Sequence, residues 1–278
     1  MKLGRFTIEQ LNEGQFEFYP DGDIIHHPVS ASGKHADVQG RNNLLAGINP
    51  IYVTDGTHNI LLDAGLGRGF NIKNDNKYIS NVRTNLNIFG VDPAEITHVI
   101  LSHLHYDHVA GASYTDAYLK TRPTFPNARY YLQQDEWDFA VRQVQNQSIQ
   151  SPFYNLDDLY RLYADCYFEF IEKDEAEIIP GLNIVKTGGH TPGHQVVRLQ
   201  DQEKKAYYLG DLIATPDQLN IYDLKGTNSN RITAKKMKVK LLKEVFREKA
   251  LLFFYHSVHS NVGWLQKDED RNYVLREI

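Results

Sequence analysis

The most informative segment of this sequence is Ser102-His103-Leu104-His105-Tyr106-Asp107-His108-Val109-Ala110-Gly111. The preceding residues 97–101 read Thr-His-Val-Ile-Leu, a short β-branched and apolar run that is typical of a buried strand. The histidines and the aspartate therefore follow a strand directly, and layered α/β proteins bind ligands at the carboxyl ends of strands. Three imidazoles and one carboxylate within six residues form a dense set of metal ligands. This pattern predicts a metal site. The alternative is an ordinary polar turn, but a turn does not need this many metal-binding side chains.

Later strand ends carry side chains of the same kind. His190 lies in a glycine-rich loop after one strand-like run, Asp211 follows Gly210 at the end of a second, and His256 follows the apolar run 251–255. Five imidazoles and two carboxylates are more than one ion needs, so the set suits two metal ions, with one carboxylate able to bridge them. The predicted ligands are His103, His105, Asp107, His108, His190, Asp211 and His256.

Two further polar residues are predicted to support these ligands. Asp63 ends the second strand of a hairpin predicted over 51–63, with Asp55-Gly56 at its turn. Two roles fit Asp63: it orients a ligating histidine from behind, or it caps the loop that follows. His194 is the second histidine of its loop, and we expect it to support a ligand or the fold rather than to bind metal.

Composition excludes several classes of protein. The chain has 278 residues, of which 41% are apolar and 23% charged, and a formal net charge of −5. These values are ordinary for a globular protein and predict no affinity for nucleic acid or for an anionic membrane. No run approaches the roughly 20 apolar residues that span a bilayer. The N-terminus lacks the apolar core of a signal peptide, and one cysteine cannot form an internal disulfide, so we expect a cytoplasmic protein.

The length of 278 residues suits one large domain or two small ones, and the family resemblance given below implies a single α/β domain over 1–278. After the first strand, residues 14–50 show no clear periodicity and are predicted to form a long loop that packs on or near the active site. A helix is predicted over 233–248, with a buried stripe that begins at Ala234. Its lysines, Lys238 among them, are expected to face solvent.

These motifs together resemble a known family. Residues 103–108 match the His-x-His-x-Asp-His signature of the metallo-β-lactamase fold, and His190, Asp211 and His256 match its later ligands in order. The resemblance covers about residues 51–266 and implies a four-layer αβ/βα sandwich of two mixed β-sheets, with the site at one edge. It also implies how the ligands are shared. One ion would be held by His103, His105 and His190, and the other by Asp107, His108 and His256, with Asp211 bridging.

Within that superfamily the sequence is most similar to the quorum-quenching lactonases that act on N-acyl homoserine lactones. The segments that carry this similarity are Pro126-Asn127-Ala128, Glu136-Trp137, His190-Thr191-Pro192-Gly193-His194 and Phe253-Phe254-Tyr255-His256. The resemblance implies a carboxylic ester hydrolase that opens a lactone ring with a hydroxide bridging two divalent ions, expected to be Zn²⁺. Mn, Fe or Co would also suit the ligand set. Asp107 would be a ligand and a proton shuttle to the leaving oxygen, and a homodimer is expected.

One position departs from the lactonase pattern and keeps alternatives open. Some lactonases carry a tyrosine that assists the carbonyl three residues after the bridging aspartate, and this chain has Ala214 there. Tyr222 is a candidate replacement. The alternative substrate is therefore another ester, a thioester or an organophosphate, hydrolysed at the same site. Two rivals from other classes are a diiron electron-transfer protein and a scaffold that has lost its metals.

Overall fold

The computed structural model describes residues 1–18, 24–27, 44–67, 82–146, 153–220, 229–259 and 261–278. The strands are β1 (Lys2–Leu3), β2 (Phe6–Gln10), β3 (Gly14–Phe18), β4 (Ile24–His27), β5 (Leu44–Ile48), β6 (Ile51–Thr54), β7 (Asn59–Leu62), β8 (His98–Ile100), β9 (Ser113–Thr115), β10 (Thr121–Pro123), β11 (Arg129–Gln133), β12 (Phe168–Ile171), β13 (Glu175–Ile179), β14 (Leu182–Lys186), β15 (Gln195–Asp201), β16 (Lys204–Tyr208), β17 (Leu251–Phe253), β18 (Val262–Lys267) and β19 (Tyr273–Glu277). The α-helices are α1 (Val82–Ile88), α2 (Tyr106–Val109), α3 (Gln134–Gln145), α4 (Asp157–Ala164) and α5 (Arg231–Glu248).

Two seven-stranded sheets dominate the described structure. The first has the order β1-β2-β6-β7-β8-β11-β12, and the second runs β13-β14-β15-β16-β17-β18-β19. Both sheets are mixed, because β7, β8, β11 and β12 pair in parallel in the first and β16 pairs with β17 in parallel in the second. The other neighbouring pairs in these sheets are antiparallel.

The two large sheets pack face to face around a shared core. Ile60 and Leu62 of β7 belong to one buried cluster with Ile184 of β14 and Val197 of β15. Each such side chain contributes about 1.5–3 kcal/mol when it is fully buried. Leu61 lies between the two β7 residues and therefore faces the opposite side of its sheet.

Helices cover the outer face of each sheet. Leu61 belongs to a second cluster that includes Leu86 of α1 and Trp137 of α3. Leu252 of β17 packs in a third cluster with Leu241 of α5. The layers are therefore helices, sheet, sheet and helix, which confirms the predicted α/β four-layer sandwich. Among the described residues, no helix is both long enough and apolar enough to cross a membrane.

The sheet topology brings the predicted site residues to one edge. β14 and β16 both run antiparallel to β15, and β17 runs parallel to β16, so all three strands end on the same side. His190, Asp211 and His256 lie in the segments that follow these strand ends. In the first sheet β7 and β8 are parallel, and Asp63 and His103 follow them.

The prediction of a structureless loop over 14–50 is wrong for its described part. β3, β4 and β5 form a three-stranded antiparallel sheet, in which Phe16 of β3 pairs with Ala46 of β5, and both of these residues are buried. Each strand has only four or five residues, which is too short for a periodic pattern to stand out, and β3 and β5 are distant in sequence. The hairpin of β6 and β7, by contrast, is confirmed.

Helix α5 extends the predicted helix by two residues at its N-terminus and corrects the prediction for Lys238. This lysine is 2% exposed and lies on the buried face with Ala234, Leu241 and Val245. A spacing of three or four residues places side chains on the same face of a helix, so Lys238 shares the face of Ala234 and Leu241. The lysine-rich surface of α5 therefore excludes Lys238.

Candidate metal centre

The structure brings all seven predicted ligands together in two groups. In the first group, ligand atoms of His103, His105, His190 and Asp211 lie within 4.8 Å of one another. In the second, the same holds for Asp107, His108 and His256. The seven residues come from loops after β8, β14, β16 and β17 and from α2, so the long-range topology, and not the local motif alone, creates the site.

The distances between ligand atoms match those around a metal ion. His105 Nδ1 lies 3.1 Å from His190 Nε2, and His108 Nε2 lies 3.2 Å from His256 Nε2. In a tetrahedral zinc site, Zn–N bonds of about 2.0–2.1 Å place ligand nitrogens roughly 3.3 Å apart. His103 Nε2 is buried and has no hydrogen-bond partner among the described residues. A cation coordinated within the first group would satisfy this nitrogen, so the residues fit a metal ion.

Asp211 lies between the two groups. Its Oδ1 is 3.2 Å from His108 Nε2 and 3.3 Å from His256 Nε2. Its Oδ2 is 3.5 Å from His190 Nε2. Each carboxylate oxygen therefore faces a different group, which is the arrangement that a bridging ligand requires.

The histidines of the first group favour the neutral form that binds metal. Burial, reinforced by the neighbouring imidazoles, holds the pKa of His103 and of His105 well below its ordinary value. Burial also lowers the pKa of His190, although Asp211 opposes this effect. The ring nitrogens of this group are therefore available as lone-pair donors at neutral pH.

The second group is dominated by negative charge. Burial lowers the pKa of His108, but the carboxylates of Asp211, Asp107 and Asp63 outweigh burial and hold it well above its ordinary value. The pKa of His256 is raised in the same way, chiefly by Asp211 against the effect of burial. These carboxylates require a positive charge nearby, which either a proton on each imidazole or a divalent cation can supply.

Asp63 contacts His108 at Nδ1, the ring nitrogen that does not face the other residues of the second group. Its Oδ2 accepts a hydrogen bond from His108 Nδ1 at 2.7 Å, and its Oδ1 accepts one from the Ser102 backbone N–H at 2.6 Å. The Tyr208 hydroxyl also donates to this carboxylate. Asp63 has a φ of 56°, a left-handed conformation that costs an aspartate energy. Of the two roles that the sequence allows, the geometry favours orientation of a histidine.

Three other candidate ligands also make hydrogen bonds through atoms that do not face the candidate metal site. Ser102 Oγ lies 2.9 Å from His103 Nδ1, and His256 Nδ1 donates to the Gly47 carbonyl at 2.9 Å. The Tyr255 hydroxyl donates to the Asp107 carbonyl at 2.6 Å. Contacts of this kind fix which ring nitrogen faces a metal. Gly47 belongs to β5, so the N-terminal segment contacts the site, although as a strand and not as a loop.

His194 is buried beside the site but its ring nitrogens are engaged elsewhere. Its Nε2 accepts the Asp211 backbone N–H at 3.1 Å, so the ring carries its proton on Nδ1, 2.7 Å from Thr187 Oγ1. Burial holds the pKa of His194 well below its ordinary value, which matches this neutral form. An added Cβ at Gly210, whose φ is +50°, would lie 2.7 Å from His194 Nε2, so glycine is required there.

Two residues bear on the missing helper tyrosine. Ala214 is 8% exposed, and its carbonyl accepts the His256 backbone N–H at 3.0 Å, which places it beside the second group. Tyr222, the candidate replacement, lies outside the described residues.

Sequence reasoning gave no site role to Glu136, which the structure places fully buried between the loops of the first group. Its carboxylate accepts hydrogen bonds from both loops. The sequence shows only an acidic residue in the first turn of a helix, where such residues are common. Because its partners are 32 and 57 residues away, no local pattern reveals its role.

Five histidines and two aspartates that could hold metal ions therefore lie at one edge of a two-sheet α/β sandwich with outer helices. Residues 45–256 match the model of the metallo-beta-lactamase superfamily. The chain belongs to this superfamily.

Curated relatives include N-acyl homoserine lactonases at low identity. That of Bacillus cereus is 28% identical over 178 residues, which cover 63% of this chain and 61% of the relative. The AttM lactonase of Rhizobium radiobacter is 23% identical, with 73% of this chain and 68% of the relative aligned. The alignment with the first of these spans less than two thirds of that relative's length.

Solved structures share the fold over the whole chain. A probable metal-dependent hydrolase from Staphylococcus aureus has a TM-score of 0.75 at 23% identity, with 100% of this chain and 99% of that chain covered. AidC, a dizinc quorum-quenching lactonase solved in complex with a product, has a TM-score of 0.71 at 20% identity, with 100% of this chain and 97% of that chain covered. These likenesses support the same fold for the described residues that lie outside 45–256.

Proposed function

We propose that this protein is a dinuclear metal-dependent hydrolase that opens the ring of N-acyl homoserine lactones. The observation that carries the proposal is the position of Asp211, whose two oxygens face two separate groups of histidines. The lactone as substrate is supported by the similarity to lactonases from Bacillus cereus and Rhizobium radiobacter.

In this proposal each group holds one divalent ion. His103, His105 and His190 would hold the first ion, and Asp107, His108 and His256 would hold the second. Asp211, which faces both groups, would be shared between them. The nitrogen-rich donor set with hard carboxylates suits Zn²⁺, which we propose as the native metal.

When bound, the two ions would activate a water at neutral pH and polarise the ester carbonyl. The remaining task for the protein is to accept a proton from the attacking water and to pass it to the departing ring oxygen. Asp107 is suited to it because its side chain keeps 12% exposure at the site and its Oδ2 lies 3.3 Å from His256 Nε2. Asp63, Ser102 and the Gly47 carbonyl keep the histidine rings oriented throughout.

The first test is a panel of substrates with and without metal. Hydrolysis of N-acyl homoserine lactones of several chain lengths is followed by proton release, with a thioester and a phosphotriester assayed alongside. We expect lactone opening to dominate the panel, to disappear after chelation and to return on addition of Zn²⁺. Lactones that remain intact while another substrate is hydrolysed would contradict the proposed substrate and leave the metal-dependent hydrolase in place.

Ala214 favours a second candidate, a hydrolase of the same site acting on another ester, a thioester or an organophosphate. If the protein is a lactonase that works without the helper tyrosine, restoring that tyrosine should raise kcat for the lactone. Ala214→Tyr adds one hydrogen bond to the carbonyl oxygen, worth about 1–1.5 kcal/mol, so kcat for the lactone rises about tenfold. Ala214→Phe is the control, because it adds the same ring without the hydroxyl. An equal effect of both variants would mean that the hydroxyl does not act on the carbonyl.

A further inference from the structure

Glu136 is a buried acid in the first turn of α3 whose carboxylate accepts four hydrogen bonds. Its Oε1 accepts the Leu104 backbone N–H at 3.0 Å and the Tyr154 hydroxyl at 3.3 Å. Its Oε2 accepts the Gly193 backbone N–H at 3.2 Å and the Thr191 hydroxyl. Both oxygens are therefore occupied by donors from different parts of the chain.

Three of the four donors belong to the two loops that carry the histidines of the first group. Leu104 lies between His103 and His105, and Thr191 follows His190 directly. Glu136 is thus hydrogen-bonded to both loops of the first group, and none of its four hydrogen bonds goes to an imidazole ring. These hydrogen bonds fix the separation of the two loops.

Packing around Glu136 leaves little room for adjustment. An added Cβ at Gly193 would lie 2.2 Å from the Glu136 backbone nitrogen, so the loop rests directly on the start of α3. The fourth donor, Tyr154, also has its ring 4.9 Å from the His105 ring in an edge-to-face contact. A movement of Glu136 is therefore transmitted to both loops and to the face of His105.

The charge of Glu136 is compensated locally. Burial raises its pKa, and the four hydrogen bonds oppose that rise. Its position in the first turn places it near the positive end of the α3 dipole. A buried carboxylate with this many donors costs far less than an unpaired one, so its retention at this place is physically reasonable.

We propose that Glu136 is the positioning residue that sets the distance between His190 and the His103–His105 pair, and thereby the affinity of the first group for its metal ion. This inference rests on the proposed function, because it concerns one of the two ions proposed there. Its role differs from that of Asp63, which supports the second group.

The geometry requires a carboxylate and rejects an amide. Leu104 N–H points at one oxygen and Gly193 N–H at the other, and both backbone groups can only donate. A glutamine in either orientation would place its NH₂ against one of these N–H groups. One loop would then lose its anchor and move away from the other.

The experiment compares Glu136→Gln with Asp135→Asn, an acid-to-amide change at the adjacent position of the same helix, where the side chain is 58% exposed. Metal-free proteins are titrated with Co²⁺, and the absorption spectrum reports each ion. We expect two ions in the wild type and in Asp135→Asn. In Glu136→Gln we expect the affinity for one ion to fall about 10–100-fold while the other is retained, as is typical when support of a ligand is lost.

The lost site is identified by a second variant. The ion that remains in Glu136→Gln should have the spectrum of the ion that remains in His105→Ala, which lacks a ligand of the first group. Equal weakening of both ions, or no change in either, overturns the proposal and leaves Glu136 with a merely structural role. If Glu136→Gln does not fold, Thr191→Val removes one donor and keeps the carboxylate, and a smaller loss at the same site is expected.

Hydrogen exchange in the metal-free protein separates this inference from the proposed function. At least one of the Leu104 and Gly193 amides should exchange faster in metal-free Glu136→Gln than in the metal-free wild type. Unchanged exchange would overturn the role of Glu136. A wild type that binds fewer than two ions would instead contradict the proposed dinuclear site, even if these amides lose their protection.

Discussion

Replacing His105 by alanine is expected to remove one metal ion and to lower kcat/KM for hydrolysis at least about 1,000-fold. The His105 ring contributes Nδ1 at 3.1 Å from His190 Nε2, so its loss leaves the first group without one nitrogen ligand. Metal-ion catalysis supplies several kcal/mol of transition-state stabilisation, and each 1.36 kcal/mol is worth about a factor of ten in rate. Metal content and turnover measured on the same preparation test the prediction.

The chain of His105→Ala should still fold. Burial holds the pKa of His105 well below its ordinary value, so the substitution removes a neutral ring and leaves no buried charge unpaired. The ring packs against Phe153 and Tyr154 at the edge of the core, and its loss is expected to cost the metal-free protein about 1–2 kcal/mol. The thermal unfolding of metal-free protein measures this cost.

The control is His58→Ala, which changes a histidine outside the site. His58 pairs with Asp55 at 3.0 Å in the turn between β6 and β7, and its side chain is 32% exposed. This variant should keep two metal ions and full turnover. Full metal content and activity in His105→Ala would contradict the ligand assignment for the first group.

The sequence predicts which side chains come together at the candidate site because the signal of these residues is local. His103, His105, Asp107 and His108 lie within six residues, and each later ligand follows a recognisable strand. The sequence does not show how the seven side chains divide into the two groups of the structure. Asp211 faces both groups only because β16 ends beside β17 and on the same side as β14, and that register depends on pairing along the whole sheet.

Supporting residues are harder to predict because their partners are distant in sequence. Asp63 is 45 residues from His108, so the sequence leaves its role open between two alternatives. Glu136 has partners in three segments, and its place in the Glu136-Trp137 segment shared with lactonases gives no indication of its role. Lys238 is a different case, since the helical period of its own neighbours indicates a buried face and only the usual preference of lysine for solvent argues against it.

Glu13 is expected to make the stability of the folded chain depend on pH. This residue lies between β2 and β3 and is 1% exposed. Its Oε2 accepts the Leu66 backbone N–H at 3.0 Å, and its Oε1 is buried without a hydrogen-bond partner among the described residues. Burial raises the pKa of Glu13 from 4.5 to about 8, against the hydrogen bonds from the backbone of Leu66 and Val82.

The sign of the effect follows from where the proton is held. Between about pH 4.5 and about pH 8 the folded protein keeps a proton on Glu13 that the unfolded chain has released. The free energy of unfolding therefore falls as pH rises through this window, and the titration of Glu13 adds no further pH dependence below or above it. At about 1.4 kcal/mol for each pKa unit, the total loss is roughly 3–5 kcal/mol.

Glu13→Gln removes this titration while keeping the shape of the side chain. Relative to the wild type, the variant should be about equally stable near pH 5 and more stable by roughly 3–5 kcal/mol near pH 9. Urea unfolding of both metal-free proteins at each pH gives the difference. The histidines of the site are the same in both proteins, and Glu13 hydrogen-bonds to none of them among the described residues, so the difference between the two proteins isolates Glu13.

A difference between the two proteins that is independent of pH would mean that Glu13 is ionised in the folded state, despite its burial. Its carboxylate would then be stabilised by the N–H groups of Leu66 and Val82, which lie after β7 and at the start of α1. The two outcomes have opposite consequences for the loop that carries Asp63. A neutral Glu13 loses its proton and weakens this region in alkaline solution, whereas an ionised one anchors the loop at every pH above its own pKa.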